Sequence, residues 1–330
     1  MSGETLFLAD AEVRQLASWS HAIAALRRAY GARIDPLSVP PRAMARIPGT
    51  WLRCLAAISP LEGFLGCKLI AASPRLRRAS YLVALFDPST MGLAALLDGN
   101  QITGIRTAAT AAVAVDALAP DTPLRIAVLG SGFEARGQLE ALAAVRAVES
   151  ARVFSPTAAN RERFAAELSR KLATAVVPAN TAQAAVAGAH VVLCAARAQG
   201  ELPVLHGEWL EPGMTIVSVG STLPEQREVD VGVIERAHSI VADMPDEVLQ
   251  DTGDLRAAAA ANPKVGDKVV AMADLIAGRR SARSEDSDIV IYKSVGSALQ
   301  DVVIAEMLLL QARSENLGTF LPVSIVPVAK

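Results

Sequence analysis

The fold is decided by the stretch Leu124-Arg125-Ile126-Ala127-Val128-Leu129-Gly130-Ser131-Gly132-Phe133-Glu134-Ala135. Its first half, Leu124–Leu129, is a largely apolar run, which is typical of a strand buried inside a parallel sheet. Its second half has the spacing Gly-x-Gly-x-x-Ala, a variant of the dinucleotide-binding turn that joins such a strand to a helix. In that turn Gly130 permits the sharp bend, Gly132 lets the backbone approach a diphosphate, and the following helix offers free N–H groups. A strand–turn–helix unit without a ligand is the alternative.

The end of the second predicted strand bears on which nicotinamide dinucleotide is bound. An acidic residue there would accept hydrogen bonds from the 2′-hydroxyl of the adenosine ribose. The sequence is Phe154-Ser155-Pro156-Thr157, followed by Asn160 and Arg161, so no carboxylate would repel a 2′-phosphate. Ser155, Thr157 and Arg161 could instead bind that phosphate, which favours NADPH while leaving NADH possible. A helix N-cap followed by a solvated arginine is the alternative interpretation.

Strands and helices alternate from this turn onward. The predicted strands are Leu124–Leu129, Ala151–Phe154, Ala175–Val177, Val191–Ala195, Thr215–Val219, Ser239–Ala242 and Ile289–Tyr292, and the predicted helices include 135–147, 158–171 and 181–187. Such alternation builds a doubly wound parallel sheet with helices on both faces. We therefore expect an α/β fold in which residues 118–297 form a Rossmann domain.

The residues on either side of that domain predict a smaller α+β domain. A helix over 12–31 precedes strands Leu52–Ile58, Phe64–Ala72, Tyr81–Asp87 and Ala94–Leu97, then come the turn Asp98-Gly99-Asn100, an alanine-rich helix over 103–118, and, at the end of the chain, a helix over 297–313 and a segment Leu317–Val323. Turn residues separate the strands, so an antiparallel sheet is expected. The Rossmann domain is thus predicted to be inserted in a second domain made of residues 1–117 and 298–330.

Three basic residues in this second domain stand out. Arg42 follows two prolines, Lys68 lies in the apolar run Phe64–Ala72, and Arg106 begins the alanine-rich helix. Burial of a lysine or arginine is costly unless an opposite charge pairs with it. A bound carboxylate would supply that charge, and an arginine can offer it two parallel hydrogen bonds. A structural salt bridge within the protein is the alternative for each of the three.

The composition argues against several classes of partner. The 330 residues are 52% hydrophobic with a net charge of −2, so neither disorder nor nucleic-acid binding is expected. No apolar run reaches the ~18 residues that a membrane span needs, and Met1-Ser2-Gly3-Glu4 lacks the basic start of a secretory signal, so a cytoplasmic protein is expected. Cys54, Cys67 and Cys194 have no metal-ligand spacing, so no metal site is expected. The four histidines show no pairing with a nucleophile in the sequence.

Short pieces of the chain, taken in their order and spacing, resemble a known family. They are Val39-Pro40-Pro41-Arg42, Gly66-Cys67-Lys68-Leu69, Asp98-Gly99-Asn100, Thr103-Gly104-Ile105-Arg106-Thr107-Ala108-Ala109, the glycine turn, Ala187-Gly188-Ala189-His190-Val191-Val192, Trp209-Leu210-Glu211-Pro212-Gly213 and Tyr292-Lys293-Ser294-Val295-Gly296. Together they resemble the ornithine cyclodeaminase and mu-crystallin family over roughly residues 35–320. The resemblance implies a homodimer in which the N-terminal sheet forms the dimerisation and substrate-binding domain, facing the inserted Rossmann domain.

The resemblance also implies where the cofactor, NADP or alternatively NAD, would lie. Residues matching Ser155, Thr157 and Asn160 would be near the adenosine ribose, and Ser294 would approach the nicotinamide end. The full set of predicted cofactor-binding residues is Arg106, Thr107, Gly130, Gly132, Phe133, Glu134, Ser155, Thr157, Asn160, Arg161, Ala195, Ala196, Val219 and Ser294.

Residues matching Arg42, Lys68 and Arg106 would surround the substrate carboxylate and the reacting nitrogen. One departure from the family bears on the reaction. The cyclodeaminases carry an aspartate shortly after the strand matching Thr215–Val219, where it acts on the amino group and the returning imine, and Thr222 stands at its place here. Threonine cannot act as an acid or base near neutral pH, so loss of ammonia from ornithine is not expected. Lys68, Arg106 and Thr222 are the residues predicted at the reacting centre.

Family members that lack the aspartate include reductases of cyclic ketimines and imino acids. We therefore expect hydride transfer from NADPH to the C=N carbon of an α-imino acid, with a cyclic ketimine such as pyrroline-2-carboxylate or piperideine-2-carboxylate as substrate. The alternatives are an amino-acid dehydrogenase acting on alanine or an opine-like amine, an ornithine cyclodeaminase, and a non-catalytic NADPH- and ligand-binding protein of the crystallin type.

Overall fold

The computed structural model describes residues 4–196, 199–322, 325 and 327–328, and the chain divides into two units. Unit 1 consists of Met1–Arg106 and Ser297–Lys330, and unit 2, Thr107–Gly296, is inserted between these parts. The strands are β1 (Leu6–Leu8), β2 (Ala43–Ile47), β3 (Thr50–Ile58), β4 (Leu65–Ser73), β5 (Arg78–Phe86), β6 (Leu93–Asp98), β7 (Leu124–Leu129), β8 (Val148–Phe154), β9 (Ala175–Pro178), β10 (Val191–Cys194), β11 (Thr215–Ser218), β12 (Ser239–Ala242), β13 (Val269–Ala271), β14 (Val290–Lys293) and β15 (Thr319–Phe320). The helices are α1 (Asp10–Leu16), α2 (Trp19–Gly31), α3 (Gly99–Leu118), α4 (Phe133–Ala143), α5 (Ala158–Leu172), α6 (Ala182–Val186), α7 (Val231–Arg236), α8 (Pro245–Asp251), α9 (Gly253–Ala261), α10 (Met272–Ile276) and α11 (Ala298–Glu315).

Unit 2 contains an eight-stranded parallel sheet in the order β13-β12-β14-β11-β10-β7-β8-β9. From β7 the chain continues outward through β8 and β9, and β10 then returns to pair with the other side of β7. This reversal is a topological switch point, where a crevice for a ligand opens outside the carboxyl ends of the strands. The doubly wound parallel sheet predicted from the sequence is confirmed.

The central strands of unit 2 are apolar at successive positions. All four residues of β10, Val191–Cys194, are buried, and five of the six residues of β7 are buried as well. A strand covered on both faces shows such a continuous run, whereas a strand with one wet face alternates. These continuous apolar runs explain why the sequence predicted the central strands well.

Unit 1 contains a seven-stranded sheet in the order β15-β1-β6-β5-β4-β3-β2, antiparallel from β2 to β6. Helix α11 packs on strands β3, β4 and β5. The approach is close at Gly66, where a Cβ atom would come within 2.6 Å of Val302 Cγ2 in α11. Side chains alternate along a strand, so Lys68, two residues further along β4, points to the same helix-covered face.

The first predicted helix of unit 1 is corrected by the structure. The segment 12–31 forms two helices, α1 and α2, because Ala17 and Ser18 have extended backbone conformations between them. The helix predicted over 103–118 begins earlier, at Gly99, so Asp98-Gly99-Asn100 is not a separate turn.

Two strands of unit 1, β1 and β2, are missed by the sequence analysis. Strand β2 is exposed at every position, so it shows no alternation of apolar and polar residues, and β1 has only three residues. The predicted terminal segment contains strand β15, while its last residue, Val323, lies outside the described residues. Within the described part of the chain, no helix has the length and apolar character needed to cross a membrane.

Candidate active site

The glycine turn of unit 2 has a conformation that requires glycine at its first position. Gly130 has a φ of +120°, and its N–H donates to the Phe154 carbonyl at 2.8 Å. A Cβ atom at this position would lie 2.5 Å from the carbonyl oxygen of Ala195, closer than real Cβ contacts come. Gly130 therefore allows both the left-handed bend and the close approach of the segment after β10.

The second glycine of the turn, Gly132, leaves space for a ligand. A Cβ atom at Gly132 would meet nothing within 4 Å, and Gly132 is the N-cap of α4 without a side-chain capping bond. The first N–H groups of a helix have no partner within the helix, and the helix dipole favours an anion there. Phe133 and Glu134, the first residues of α4, lie beside this opening. The turn therefore fits the diphosphate of a dinucleotide.

The residues after β8 carry no charge up to Arg161. The Ser131 hydroxyl donates to the Ser155 hydroxyl at 2.9 Å, which ties the glycine turn to the end of β8. The Arg161 guanidinium folds back and donates to the Ser155 carbonyl at 3.1 Å, while Thr157 is the N-cap of α5 without a side-chain capping bond. Asn160 lies in the first turn of α5. A cationic side chain beside a segment without carboxylates fits the 2′-phosphate of NADPH.

A buried carboxyl group lies between the loops that follow β10 and β11 in unit 2. Glu228 is fully buried and accepts hydrogen bonds from the Ser218 hydroxyl at 2.7 Å, the Gly220 N–H at 2.9 Å and the Ala196 N–H at 3.3 Å. Ala195 and Ala196 follow β10, and Val219 and Gly220 follow β11. Three of these residues, Ala195, Ala196 and Val219, were expected near the cofactor, whereas Glu228 is missed by the sequence analysis.

An ion pair supports this carboxyl group from inside the unit. Lys293 Nζ donates to Asp254 Oδ2 at 2.8 Å and to Ser218 Oγ at 2.9 Å, and both members of the pair are fully buried. Asp254 Oδ1 accepts from the backbone N–H of Glu228 at 2.8 Å. Burial raises the pKa of the Glu228 carboxyl to about 7, although Lys293 and the hydrogen bonds from Ser218 and Gly220 oppose the shift.

The raised pKa of Glu228 predicts how the stability of the protein depends on pH. The folded protein keeps the carboxyl proton up to a pH of about 7, whereas the unfolded chain releases it near 4.5, so the free energy of unfolding falls as pH rises through this window. The whole shift corresponds to about 3 kcal/mol. Because Gln cannot ionise, Glu228→Gln is expected to gain stability relative to the wild type between pH 5 and pH 8, which urea unfolding at both pH values measures. Parallel pH profiles of the two proteins would contradict this assignment.

Thr222 and Ser294 lie in the segments after β11 and β14. The Thr222 N–H donates to Gln226 Oε1 at 2.9 Å, which fixes the turn that contains it. Ser294 is buried, and its hydroxyl donates to Asp243 Oδ2 at 2.6 Å. Both residues therefore follow the carboxyl ends of strands, at the edge of the sheet where the switch point lies.

Unit 1 brings two of the three predicted basic residues together. Lys68 Nζ donates to Asp301 Oδ1 at 2.8 Å and to Thr103 Oγ1 at 2.6 Å. Arg106 Nε lies 3.5 Å from the same Asp301 oxygen. The side chains of Lys68 and Asp301 are 1% and 2% exposed, and that of Arg106 is 13% exposed. The salt-bridge alternative is thus realised for both, and the two cations pair with the same oxygen of Asp301.

Further contacts fix the geometry of this cation cluster, which we define as Lys68, Arg106 and Asp301. Arg106 donates to Gln300 Oε1 at 3.0 Å, and Gln300 Nε2 donates to the Tyr30 hydroxyl at 2.9 Å. Lys68 Nζ also lies 5.5 Å from the centre of the Tyr81 ring, a favourable position for a cation. Both cations are therefore held in fixed positions rather than in solvent.

Arg42 was predicted at the substrate site, whereas Asp301 was not. Arg42 is half-buried directly before β2, an edge strand of the same sheet. Asp301 is missed by the sequence analysis, although an acid in the apolar helix run Ala298–Ile304 is a signal that could have identified it.

A serine, a histidine and an aspartate also line up in unit 2, but on the opposite edge of the sheet. Ser284 Oγ lies 3.2 Å from His238 Nε2, and His238 Nδ1 lies 3.5 Å from Asp288 Oδ1, before the amino ends of β12 and β14. The N–H groups of Ser284 and Glu285 both donate to Asp288, which lowers the pKa of that carboxyl. These N–H groups therefore cap a turn and do not form an oxyanion hole.

Potential metal ligands do not cluster in the part of the chain that the structure describes, where no group of three His, Cys, Asp or Glu side chains could hold an ion. The chemistry of the two candidate sites therefore rests on an anion-binding helix start in unit 2 and on the cation cluster in unit 1. A doubly wound sheet with such a turn at its switch point defines a dinucleotide-binding enzyme of the Rossmann type.

Comparison with known proteins places the chain within that class. The model of the ornithine cyclodeaminase/mu-crystallin family matches residues 37–316, so the chain belongs to this family. Ketimine reductase mu-crystallin of Mus musculus is 32% identical over 225 residues, which are 68% of this chain and 67% of the relative. The chain is accordingly an NAD(P)-dependent oxidoreductase that acts on CH–NH or C=N bonds.

Two solved structures are similar over almost the whole chain. The Δ1-pyrroline-2-carboxylate reductase of Thermococcus litoralis, in complex with NADH and L-proline, superposes with a TM-score of 0.87 at 26% identity, covering 96% of this chain and 100% of that one. An archaeal alanine dehydrogenase dimer with bound NAD gives a TM-score of 0.87 at 26% identity, covering 98% of this chain and 99% of that one. Both confirm the α/β fold expected from the sequence.

Proposed function

We propose that the protein is an NAD(P)H-dependent reductase of an α-imino acid, with a cyclic ketimine such as pyrroline-2-carboxylate or piperideine-2-carboxylate as substrate. The observation that carries the proposal is the cation cluster, in which a buried lysine and a largely buried arginine both pair with one oxygen of Asp301. The ammonium and guanidinium groups of this cluster could bind a substrate carboxylate through charge-assisted hydrogen bonds. The similarity to mu-crystallin and to the pyrroline-2-carboxylate reductase supports an imine as the group that is reduced.

The proposed roles follow from the chemistry of the side chains. Arg42 and Arg106 hold the substrate carboxylate, because a guanidinium can offer it two parallel hydrogen bonds. Lys68 hydrogen-bonds the substrate and assists protonation of the imine nitrogen as the C=N bond is reduced. The hydride for the imine carbon would come from a reduced nicotinamide when that cofactor is bound. The protein otherwise contributes mainly alignment of the two reactants.

The proposed cofactor is NADPH, with NADH as the alternative. Its diphosphate would occupy the start of α4 at Gly132, and Arg161 would face the 2′-phosphate across a segment without carboxylates. The similar solved structures hold NADH or NAD, so the preference for NADPH rests on the residues after β8 alone.

A cyclodeaminase is disfavoured by Thr222. Its N–H donates to Gln226, and its hydroxyl has no acid–base function near neutral pH. Release of ammonia from ornithine would need a group that accepts and returns protons at this place. The archaeal alanine dehydrogenase favours one other candidate, the reversible oxidation of an amino acid with NAD.

A substrate panel tests the proposal. Protein is mixed with NADPH or NADH and with pyrroline-2-carboxylate, piperideine-2-carboxylate, pyruvate plus ammonia, or pyruvate plus a primary amine, and loss of the reduced-nicotinamide absorbance is followed. We expect the cyclic imines to be turned over with the highest kcat/KM and NADPH to be preferred. Turnover of pyruvate with ammonia alone would favour the dehydrogenase, and no turnover of any imine would refute the reductase.

We further propose that the protein is a homodimer formed through the sheet of unit 1. On the face opposite α11, strands β3 and β4 carry a patch of apolar side chains: Leu52, Ala56, Ile58 and Ala71 are exposed, and Cys54, Cys67 and Leu69 are half-buried. A face of this kind is typical of a subunit interface, and a twofold axis would pair it with its own copy.

A charge on this face is expected to separate the subunits. Ala56→Asp would place one carboxylate from each subunit in the apolar interface, at a cost of at least about 3 kcal/mol for each buried unpaired charge. Light scattering should then report the monomer mass of 34.5 kDa instead of twice that value. The matched control is Ala261→Asp, at an exposed position of α9 in unit 2, which should remain dimeric. A wild-type protein that is monomeric, or a dimer unaffected by Ala56→Asp, would contradict this interface.

A further inference from the structure

Glu228 connects the loops that follow two neighbouring strands at the switch point of unit 2. We infer that Glu228 is a positioning residue for the nicotinamide dinucleotide, because its ionised carboxylate holds these two loops in the conformation that fits the cofactor. The inference rests on the proposed function, since it requires a dinucleotide to bind at the switch point.

The contacts of the carboxylate place it between the two loops. Oε1 accepts from the Ala196 N–H after β10, and Oε2 accepts from the Gly220 N–H after β11. A Cβ atom at Gly220 would collide with Oε1, so only glycine lets the carboxylate pack directly on this backbone. The residue before Ala196 is Ala195, whose carbonyl abuts Gly130 of the diphosphate turn. A shift of the Glu228 carboxylate would therefore move the segment Ala195–Ala196, which contacts the turn at Gly130.

The carboxylate cannot adjust freely, because its own backbone is fixed from behind. Asp254 accepts from the Glu228 N–H at 2.8 Å and is paired with Lys293, and Lys293 also donates to the Ser218 hydroxyl that binds Glu228. All four side chains are fully buried. The buried Glu228 side chain cannot rotate into water when its charge changes. The change therefore alters its hydrogen bonds with the N–H groups of Ala196 and Gly220.

Protonation would weaken the bond to the loop after β10. Oε2 already accepts two hydrogen bonds, from Ser218 and Gly220, whereas Oε1 accepts one, from Ala196, so the proton would be added at Oε1. An O–H group at Oε1 and the Ala196 N–H are both donors, so the hydrogen bond between them would be weakened.

The other ionisable groups that face Glu228 are Lys293 on β14, Asp254 on α9 and Cys194 on β10. Lys293 and Asp254 form an ion pair with each other, and burial raises the pKa of the Cys194 thiol well above its usual value, so this thiol stays neutral. Burial brings the pKa of Glu228 to about 7. Glu228 is therefore the member of this group whose charge changes near neutral pH.

The test measures cofactor affinity, not turnover. The dissociation constants of NADPH and NADH are determined by titration without substrate, from pH 6 to pH 8.5, for the wild type and for Glu228→Gln. We expect the wild-type affinity to weaken by about 3- to 10-fold as pH falls through 7, the effect of one weakened hydrogen bond. The Glu228→Gln affinity should stay near the low-pH value of the wild type at every pH. The ratio of the two proteins at each pH cancels the titration of the 2′-phosphate of NADPH itself.

Glu306→Gln is the matched control. Glu306 is a buried carboxyl group of unit 1 whose pKa is also raised by burial, and it accepts from the Glu62 N–H. Its neutralisation should leave the pH profile of cofactor affinity like that of the wild type. Thermal melting of each variant verifies that it is folded, and the wild-type profile is a test that needs no variant.

The outcomes separate this inference from the proposed function. A wild-type protein that binds the dinucleotide with an affinity independent of pH would overturn the role of Glu228 and leave the reductase proposal intact. The same holds if Glu228→Gln has the wild-type profile, or if Glu306→Gln loses the profile equally. A wild-type protein that binds neither NADPH nor NADH would overturn both.

Discussion

Substitution of Lys68 by methionine is expected to lower kcat/KM for the imine substrate by about 10²- to 10⁴-fold, the range typical of lost proton transfer by a positioned side chain. Methionine has a similar length but no charge and no N–H donor. Lys68 is not among the residues proposed to hold the cofactor, so the dissociation constant of NADPH should change by less than about twofold. Steady-state kinetics and a cofactor titration measure the two effects separately.

The same substitution has a predicted cost in stability. Removal of Lys68 leaves Asp301, which is 2% exposed, paired with Arg106 at 3.5 Å. Loss of one member of a buried ion pair typically costs about 3–5 kcal/mol, and Arg106 should reduce this cost to the lower end of the range. Thermal melting is therefore measured together with the kinetics.

Lys171→Met is the matched control for the loss of a paired lysine. Lys171 pairs with Glu140 at 2.8 Å, but its side chain is 60% exposed, and exposed ion pairs contribute little. Activity and stability should stay near wild-type values. A folded Lys68→Met enzyme with wild-type kcat/KM would remove Lys68 from the proposed mechanism, whatever the substrate.

The elements that the sequence predicted well are those whose signal is local. Strand β7 has the predicted bounds, Leu124–Leu129, because five of its six residues are apolar and a glycine ends the run. The bend at Gly130 was likewise predicted because glycine is the residue that accepts the conformation seen there. Neither inference needs information from elsewhere in the chain.

The partners in both candidate sites were harder to predict, because they are distant in the sequence. Lys68 and Asp301 are 233 positions apart, and their contact depends on the packing of α11 on β4. Glu228 follows the polar run Pro224–Arg227, which resembles a solvated loop, and its burial depends on Asp254 and Lys293. The sequence could therefore indicate a cation in need of a partner but could not identify the partner.

Substitution by alanine is expected to change stability very differently at the two glycines of the turn, Gly130 and Gly132. Gly130→Ala would force a side chain onto a backbone with a φ of +120° and place its Cβ atom 2.5 Å from the Ala195 carbonyl. Backbone atoms cannot yield as a flexible side chain can, so the strain and the collision together should cost about 3 kcal/mol or more. Gly132→Ala meets no atom within 4 Å at a φ of −84°, so its stability should remain within about 0.5 kcal/mol of the wild type.

Gly132→Ala is expected to affect cofactor binding strongly although it affects stability little, because the space at Gly132 is the space that the diphosphate would enter. A methyl group there is expected to weaken NADPH binding by at least about 100-fold in a fully folded protein, since it holds the phosphates away from the N–H groups of α4. Melting and NADPH titration of both variants provide the comparison, with Gly132→Ala as the decisive one. If Gly132→Ala bound NADPH as tightly as the wild type, the diphosphate would have to bind elsewhere. The start of α4 would then be an ordinary helix end, and the positions assigned to the cofactor in unit 2 would be wrong together.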